Sequence, residues 1–225
     1  MLIIGITDIH GQSDYIHEIS EVLQKADLIL LSGDITHFGE KEDALSILQD
    51  IWNYSDNVYA VPGNCDYPSV GDFLNEEGIN LQGRVIRIGD YQLTGVGGSL
   101  PCPGVTPNEY SEGEYKAFLG AIAMHISSKL PLIFVSHQPP FATVCDLARN
   151  GMHVGSKAIR DFLLAEQPVF CLTGHIHEGV GIDHSGNTVI ANPGPLSSRR
   201  YVEVEIEGNR VSVRMVKGDR VISSV

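Results

Sequence analysis

Short apolar runs recur along the chain, and polar residues come directly after most of them. They fall at LIIGI (2–6), DLILLS (27–32), NVYAVP (57–62), VIRIG (85–89), YQLTGVG (91–97), PLIFVS (131–136) and PVFCLT (168–173). Several lack strict alternation, which is the pattern of strands covered on both faces. Between the early runs the apolar period lengthens to that of a helix. Ile16, Ile19, Val22 and Leu23 make one stripe, with Ser13 as its N-cap; Ala44, Leu45, Leu48 and Trp52 make another. A third helix is predicted over roughly Glu109 to Lys129 and a fourth over Ser156 to Glu166. The remainder is strand-rich: TVIANPG, RYVEVEIEG and RVSVRMVKG. In YVEVEIEG apolar and charged residues alternate, so that strand has one wet face. The order begins βαβαβα and ends in strands, which predicts an α/β sandwich with two sheets inside and helices outside. The irregular stretch from Pro101 to Asn108 is read as a surface loop at the rim of a site.

Composition narrows the classes. The chain has 225 residues, 43% of them hydrophobic, which suits one domain over 1–225 with a sizeable core. A net charge of −13 argues against a duplex-DNA binder that works by neutralising phosphates. It leaves phosphorylated substrates open, because bound cations reverse the sign locally. No stretch is long and apolar enough for a membrane span. The start, MLIIGITDIH, lacks the basic region of a signal peptide. Cys65, Cys102, Cys145 and Cys171 are scattered, with no C-x-x-C pair, so a reducing, cytoplasmic setting is expected.

The residues just past each strand carry the chemistry. After LIIGI comes TDIHG, with Asp8 and His10. DLILLS leads to GDITH, with Asp34, and NVYAV leads to PGNCD, with Asn64. PLIFVS runs into His137, and PVFCLT into GHIHE, with His175 and His177. Strand carboxyl ends form the ligand-binding edge of an open α/β sheet, so these donors are expected to converge. Mixed His, Asp and Asn donors suit Mn, Fe, Ni, Co or Zn. There are too many for one structural zinc, and about enough for two ions sharing a carboxylate. Each motif alone has a plainer reading, as a turn or a cap. Their order, each behind a strand, makes coincidence a poor explanation.

The set DIH, GD, GNCD, SH and GHIH, from Asp8 to His177, resembles the calcineurin-like metallophosphoesterase family. Within it the chain is similar to the small single-domain bacterial and archaeal phosphodiesterases, and NPGPLS (192–197) also looks like theirs. The resemblance implies a four-layer α/β/β/α sandwich of two mixed sheets with a dinuclear centre. Asp8, His10 and His177 would hold one ion, Asn64, His137 and His175 the second, and Asp34 both. The implied reaction is in-line attack on phosphorus by a metal-activated hydroxide, without a covalent intermediate. Manganese is the first expectation for the ions.

One position departs from the family. The residue after the Asn is commonly a His taken to protonate the leaving group; here it is Cys65. A metal ligand, a proton donor and a small apolar filler are the readings of Cys65. Asp66 would either orient a histidine or cap the next helix. His37 would face the substrate phosphate or lie in solvent. His153, beside a Ser156 helix start, would help close over a phosphate or simply flank a cap. Of Arg199 and Arg200, at most one reaches a polyanion, since strand neighbours face opposite ways. His17, His125 and His184 are taken as surface residues. The expected activity is hydrolysis of a small phosphodiester, in preference to a monoester. A scaffolding module on the same fold and a nuclease are the alternatives. No membrane or duplex partner is expected, and a homo-oligomer is compatible.

Overall fold

The computed structural model describes residues 1–225. Two six-stranded mixed sheets form its centre. In the first, β1 (Leu2–Ile6), β2 (Leu28–Ser32) and β3 (Val58–Val61) run parallel. Antiparallel β10 (Arg200–Glu207), β11 (Arg210–Lys217) and β12 (Arg220–Ser224) extend it beyond β1. In the second, β5 (Tyr91–Val96), β6 (Leu132–Ser136), β7 (Phe170–Thr173) and β9 (Thr188–Asn192) are parallel. Antiparallel β4 (Val85–Ile88) and β8 (Gly181–Ser185) close its two edges.

The runs without alternation are explained by burial on both faces. Ile3, Leu28, Leu30 and Val61 meet Leu93, Ile133, Val135 and Leu172 between the sheets. On the outer face of the first sheet, Ile4, Ile6, Ile29 and Leu31 pack against helices α1 (Asp14–Glu18), α2 (Ser20–Lys25), α3 (Lys41–Trp52) and α4 (Pro68–Glu76). On the outer face of the second, Val96, Phe134 and Cys171 meet Tyr115, Leu119, Phe162 and Leu163 of α5 (Glu112–Ala123) and α6 (Lys157–Glu166). The result is the four-layer α/β/β/α sandwich. Each fully buried aliphatic or aromatic side chain contributes roughly 1.5–3 kcal/mol by leaving water.

Several boundaries differ from the sequence pattern, for local reasons. The first apolar stripe is two short helices, because Ile19 (φ −100°, ψ 17°) leaves helical geometry between them. Ser13 stands at the first helix start but makes no side-chain cap bond. The third helix begins at Glu112, because Ser111 and Glu114 form a reciprocal capping box there. Glu109 lies outside it and turns back on its own loop, accepting from Thr106 N at 3.0 Å and Thr106 Oγ1 at 2.7 Å. Ser156 does cap α6, accepting from Ile159 N at 3.2 Å. The apolar pattern marks no boundaries for α4, with Pro68 in its first turn, and misses β8 and the exposed edge strand β12. No helix is long and apolar enough to cross a membrane.

Both sheets deliver their strand ends to one place. The Ser32 hydroxyl, at the end of β2, donates to the Ser136 carbonyl, at the end of β6, at 3.0 Å. His10 N donates to Asp34 O at 2.8 Å, and Gly174 N to His137 O at 3.1 Å. With Cys65 N donating to Asp34 Oδ1 at 2.8 Å, the loops after β1, β2, β3, β6 and β7 are tied into one edge.

Candidate metal centre

Side chains from five strand ends meet at this edge. His177 Nε2 is 3.3 Å from Asp8 Oδ1 and 3.3 Å from His10 Nε2. Asp34 lies between two groups: its Oδ2 is 3.7 Å from His10 Nε2, and its Oδ1 is 3.4 Å from His137 Nε2. Asn64 Oδ1 is 2.9 Å from the same His137 nitrogen. The His175 ring lies 5.2 Å from the His137 ring, and its backbone N–H points at the Asp8 carboxylate. Three sets have ligand atoms within 4.8 Å of one another: Asp8 with His10 and His177; Asp8 with Asp34 and His137; and His10 with Asp34 and Cys65.

The backbone is bent to do this. Asp8, His10, Asp34 and His175 all have left-handed φ, between 48° and 65°. Such conformations cost roughly 1–3 kcal/mol each outside glycine and concentrate at functional sites. The loops also approach closely at glycines. A Cβ on Gly63 would sit 2.0 Å from Asp34 N, and one on Gly174 would sit 1.9 Å from Thr7 Oγ1. Any larger residue there would push the Asn64 loop off Asp34, or the His175 loop off β1.

Charge and proton placement follow from these contacts. His137 is fully buried, and its Nδ1–H donates to the Ser32 carbonyl at 2.7 Å. A carbonyl can only accept, so Nε2 is the nitrogen turned to Asn64 and Asp34. Burial works against charging His137, but Asp34 and Asp8 outweigh it and hold its pKa up at about 9. Burial, with the charge of His137, pushes His175 down to about 4. Asp34 is also buried, yet His137 and His10 hold its carboxyl below the usual range. Two carboxylates and four imidazoles therefore share one small volume. His10 Nδ1 is buried without a partner, and two imidazole nitrogens face each other at 3.3 Å. A cation among these lone pairs satisfies what they cannot satisfy mutually, so the residues fit a divalent metal group.

The other sequence candidates separate clearly. Cys65 is 8% exposed. Its N–H donates to Asp34 Oδ1 at 2.8 Å, and burial beside Asp34 pushes its thiol pKa far up. Asp66 neither caps α4 nor touches a histidine, which corrects both expectations for it. It is fully buried and accepts from Gly63 N (2.7 Å), Thr36 N (2.8 Å), Thr36 Oγ1 (2.8 Å) and Ile35 N (3.2 Å). It is the pin between the Asp34 and Asn64 loops. His37 is exposed, with its ring 5.4 Å from that of His10, at the mouth of the centre. His153 is also exposed; its Nδ1 bonds Asp146 Oδ1 at 2.7 Å, so it braces its own loop. Arg199 precedes β10 in a left-handed turn and pairs with Glu18, so the two arginines are not strand neighbours. Arg200 Nε donates to Pro193 O at 2.9 Å. His17, His125 and His184 are exposed. The strand-end pattern passes over Cys102, whose sulfur lies 3.6 Å from His175 Nε2.

A sandwich of this layering, with acids, imidazoles and a carboxamide gathered at its strand ends, defines the class of metal-dependent phosphoester hydrolases. The model of the calcineurin-like phosphoesterase family matches residues 1–179, and the chain belongs to that family. It is 39% identical over 201 residues to the uncharacterized protein MJ1162 of Methanocaldococcus jannaschii, covering 88% of this chain and 89% of that one. Among solved structures, TT1561 of Thermus thermophilus is similar with a TM-score of 0.74 at 19% identity, over 94% of this chain and 97% of that one. A dimetal phosphatase from Danio rerio has a TM-score of 0.68 at 13% identity, over 96% and 95%. Vps29 of Chaetomium thermophilum shares the fold at 0.51 and 13% identity, over 96% and 87%.

Proposed function

We propose that the chain hydrolyses small phosphodiesters with two divalent ions. Asp8, His10 and His177 would hold one ion; Asn64, His137 and His175 would hold the other; Asp34 would be shared. The observation that carries this is the placement of Asp34, with one oxygen toward His10 and the other toward His137 and Asn64. When bound, the ions supply Lewis acidity, neutralising phosphoryl oxygens and making water a nucleophile at neutral pH. Manganese suits the mixed oxygen and nitrogen donors, with Fe, Ni, Co and Zn as alternatives.

The chain's own residues would set the geometry. The Cys65 N–H fixes the rotamer of Asp34, the Ser32 carbonyl fixes the tautomer of His137, and Asp66 locks two donor loops together. In the metal-free chain burial, with Asp34 beside it, makes the Cys65 thiol a very weak acid, so it is a poor proton donor to a leaving group. The enzyme should therefore favour leaving groups that need little help, such as aryl oxides, and diesters over monoesters. The four cysteines are free, which fits a reducing compartment such as the cytoplasm. The net charge of −13 weighs against a nuclease acting on duplex.

The test is hydrolysis of bis-p-nitrophenyl phosphate against p-nitrophenyl phosphate, with and without Mn²⁺. Metal-dependent turnover with the diester preferred is expected. No turnover by a metal-loaded protein with any divalent ion would favour a scaffolding role. On the diester, Cys65→Ala should lose less than about a hundredfold in kcat, roughly 2.7 kcal/mol, with metal content intact. A larger loss would make Cys65 the acid.

A further inference from the structure

The two histidines of the second proposed ion are held from behind in different ways. His137 donates from Nδ1 to the Ser32 carbonyl and presents Nε2. His175 has its Nε2 against Cys102 Sγ at 3.6 Å, and its Nδ1 makes no hydrogen bond. The thiol hydrogen of Cys102 has its own acceptor, the Leu100 carbonyl at 3.3 Å, and the Ser99 hydroxyl also lies 3.3 Å from the sulfur. With that hydrogen engaged, the sulfur lone pairs are what face His175. A sulfur acceptor and an Nε2–H donor fix the imidazole in the tautomer whose Nδ1 carries the lone pair.

We infer that Cys102 is a positioning residue for the metal centre: it accepts the Nε2–H of His175 and so presents Nδ1 as the metal-binding nitrogen. This rests on the proposed role of His175 as a ligand. Ligating histidines are generally oriented by a partner on the far ring nitrogen, and losing that partner costs about 10–100-fold in metal affinity. Cys102 also brings its loop into the account. Glu109 Oε1 accepts from Cys102 N at 3.4 Å and from Thr106 N at 3.0 Å, and Leu100 N donates to Gln138 Oε1 at 2.9 Å, beside His137. The rim loop from 101 to 108 is therefore anchored next to both histidines. A half-turn of the His175 ring about Cβ–Cγ would break the sulfur contact and put the carbon Cδ2 where Nδ1 stands.

The experiment titrates metal-free protein with Mn²⁺ or Co²⁺ against a competing chelator. It compares wild type, Cys102→Ala, Cys102→Ser and His175→Ala, with thermal melts of the metal-free forms as a folding control. Cys102→Ala should weaken one of two ions by about 10–100-fold and leave the other unchanged. Cys102→Ser, whose hydroxyl also accepts, should return that ion close to wild-type affinity. Long-range ¹H–¹⁵N spectra of metal-free wild type should show His175 protonated on Nε2. Wild-type affinity in Cys102→Ala, or a Cys102→Ser protein as weak as Cys102→Ala, would overturn the role of Cys102. If His175→Ala keeps both ions, the ligand assignment itself fails, and the role of Cys102 with it.

Discussion

The floor of the centre and its rim are built by opposite rules. On the floor, Asp8, Asp34, Asn64 and His137 are all at most 4% exposed, and most of their polar atoms have backbone or side-chain partners. At the rim, His37 reaches solvent, and His153 is exposed on the loop it braces. His37 makes no hydrogen bond, and His153 is committed to Asp146. The fold accepts strained, left-handed backbone to build the floor and leaves the rim free to vary. Metal capture should therefore be set by the floor and tolerate little, whereas substrate preference should be set by the rim and tolerate much.

The sharpest way to break that contrast is to remove the one carboxylate that spans both groups. Asp34→Ala should abolish binding of at least one ion and lower kcat/KM on an aryl diester by about a thousandfold or more, roughly 4 kcal/mol. Metal content and turnover near wild type would dissolve the floor as a unit. Next in size is the pin beneath it. Asp66→Ala leaves four buried donors without their acceptor and should destabilise the metal-free protein by about 3 kcal/mol in urea unfolding. An unchanged midpoint would show that the Asp34 and Asn64 loops hold without it.

Protons sharpen the comparison further. The pKa of His137 in the folded, metal-free protein is about 9, above the value of about 6.5 expected for the unfolded chain. Its charge therefore stabilises the metal-free fold fully below about pH 6.5, and that stability is lost as pH rises through 9. A metal needs the uncharged ring, so binding must expel this proton below about pH 9. Apparent affinity should fall at least about tenfold for each pH unit below that value, with the His137 proton released and a further share from His177, whose pKa Asp8 raises, read by calorimetry in buffers of different ionisation enthalpy. No proton release at pH 7.5 would place His137 outside the metal set. The smallest effect belongs to the rim. His37→Ala should change kcat/KM by less than about tenfold with metal content intact. A larger loss would move His37 from the rim into the chemistry.

Legibility in the chain alone maps onto this division. Strand ends are legible, because an apolar run leading into Asp, His or Asn is a local pattern, and the floor is made of such residues. The role of Asp66 is not, since it depends on Ile35 and Thr36, some thirty residues away and brought close only by pairing of β2 with β3. Cys102 reads only as a scattered cysteine, because its partner lies 73 residues on, in the other arm of the edge. The helix pattern likewise overruns at 109–129, because apolar period says little about where a helix starts; the capping box of Ser111 and Glu114 is the local signal that starts α5 at Glu112. Strand β12 carries no buried residue, so its sequence has no core face to reveal it.

The proposed function has two ions share the floor and act together on a phosphodiester. Stepwise titration of metal-free protein with Mn²⁺, with hydrolysis of bis-p-nitrophenyl phosphate read at each addition, tests it directly. Turnover should stay low through the first equivalent, climb with the second and level off when elemental analysis counts two ions per chain. Full activity at one ion, or two ions bound with no hydrolysis, would contradict it.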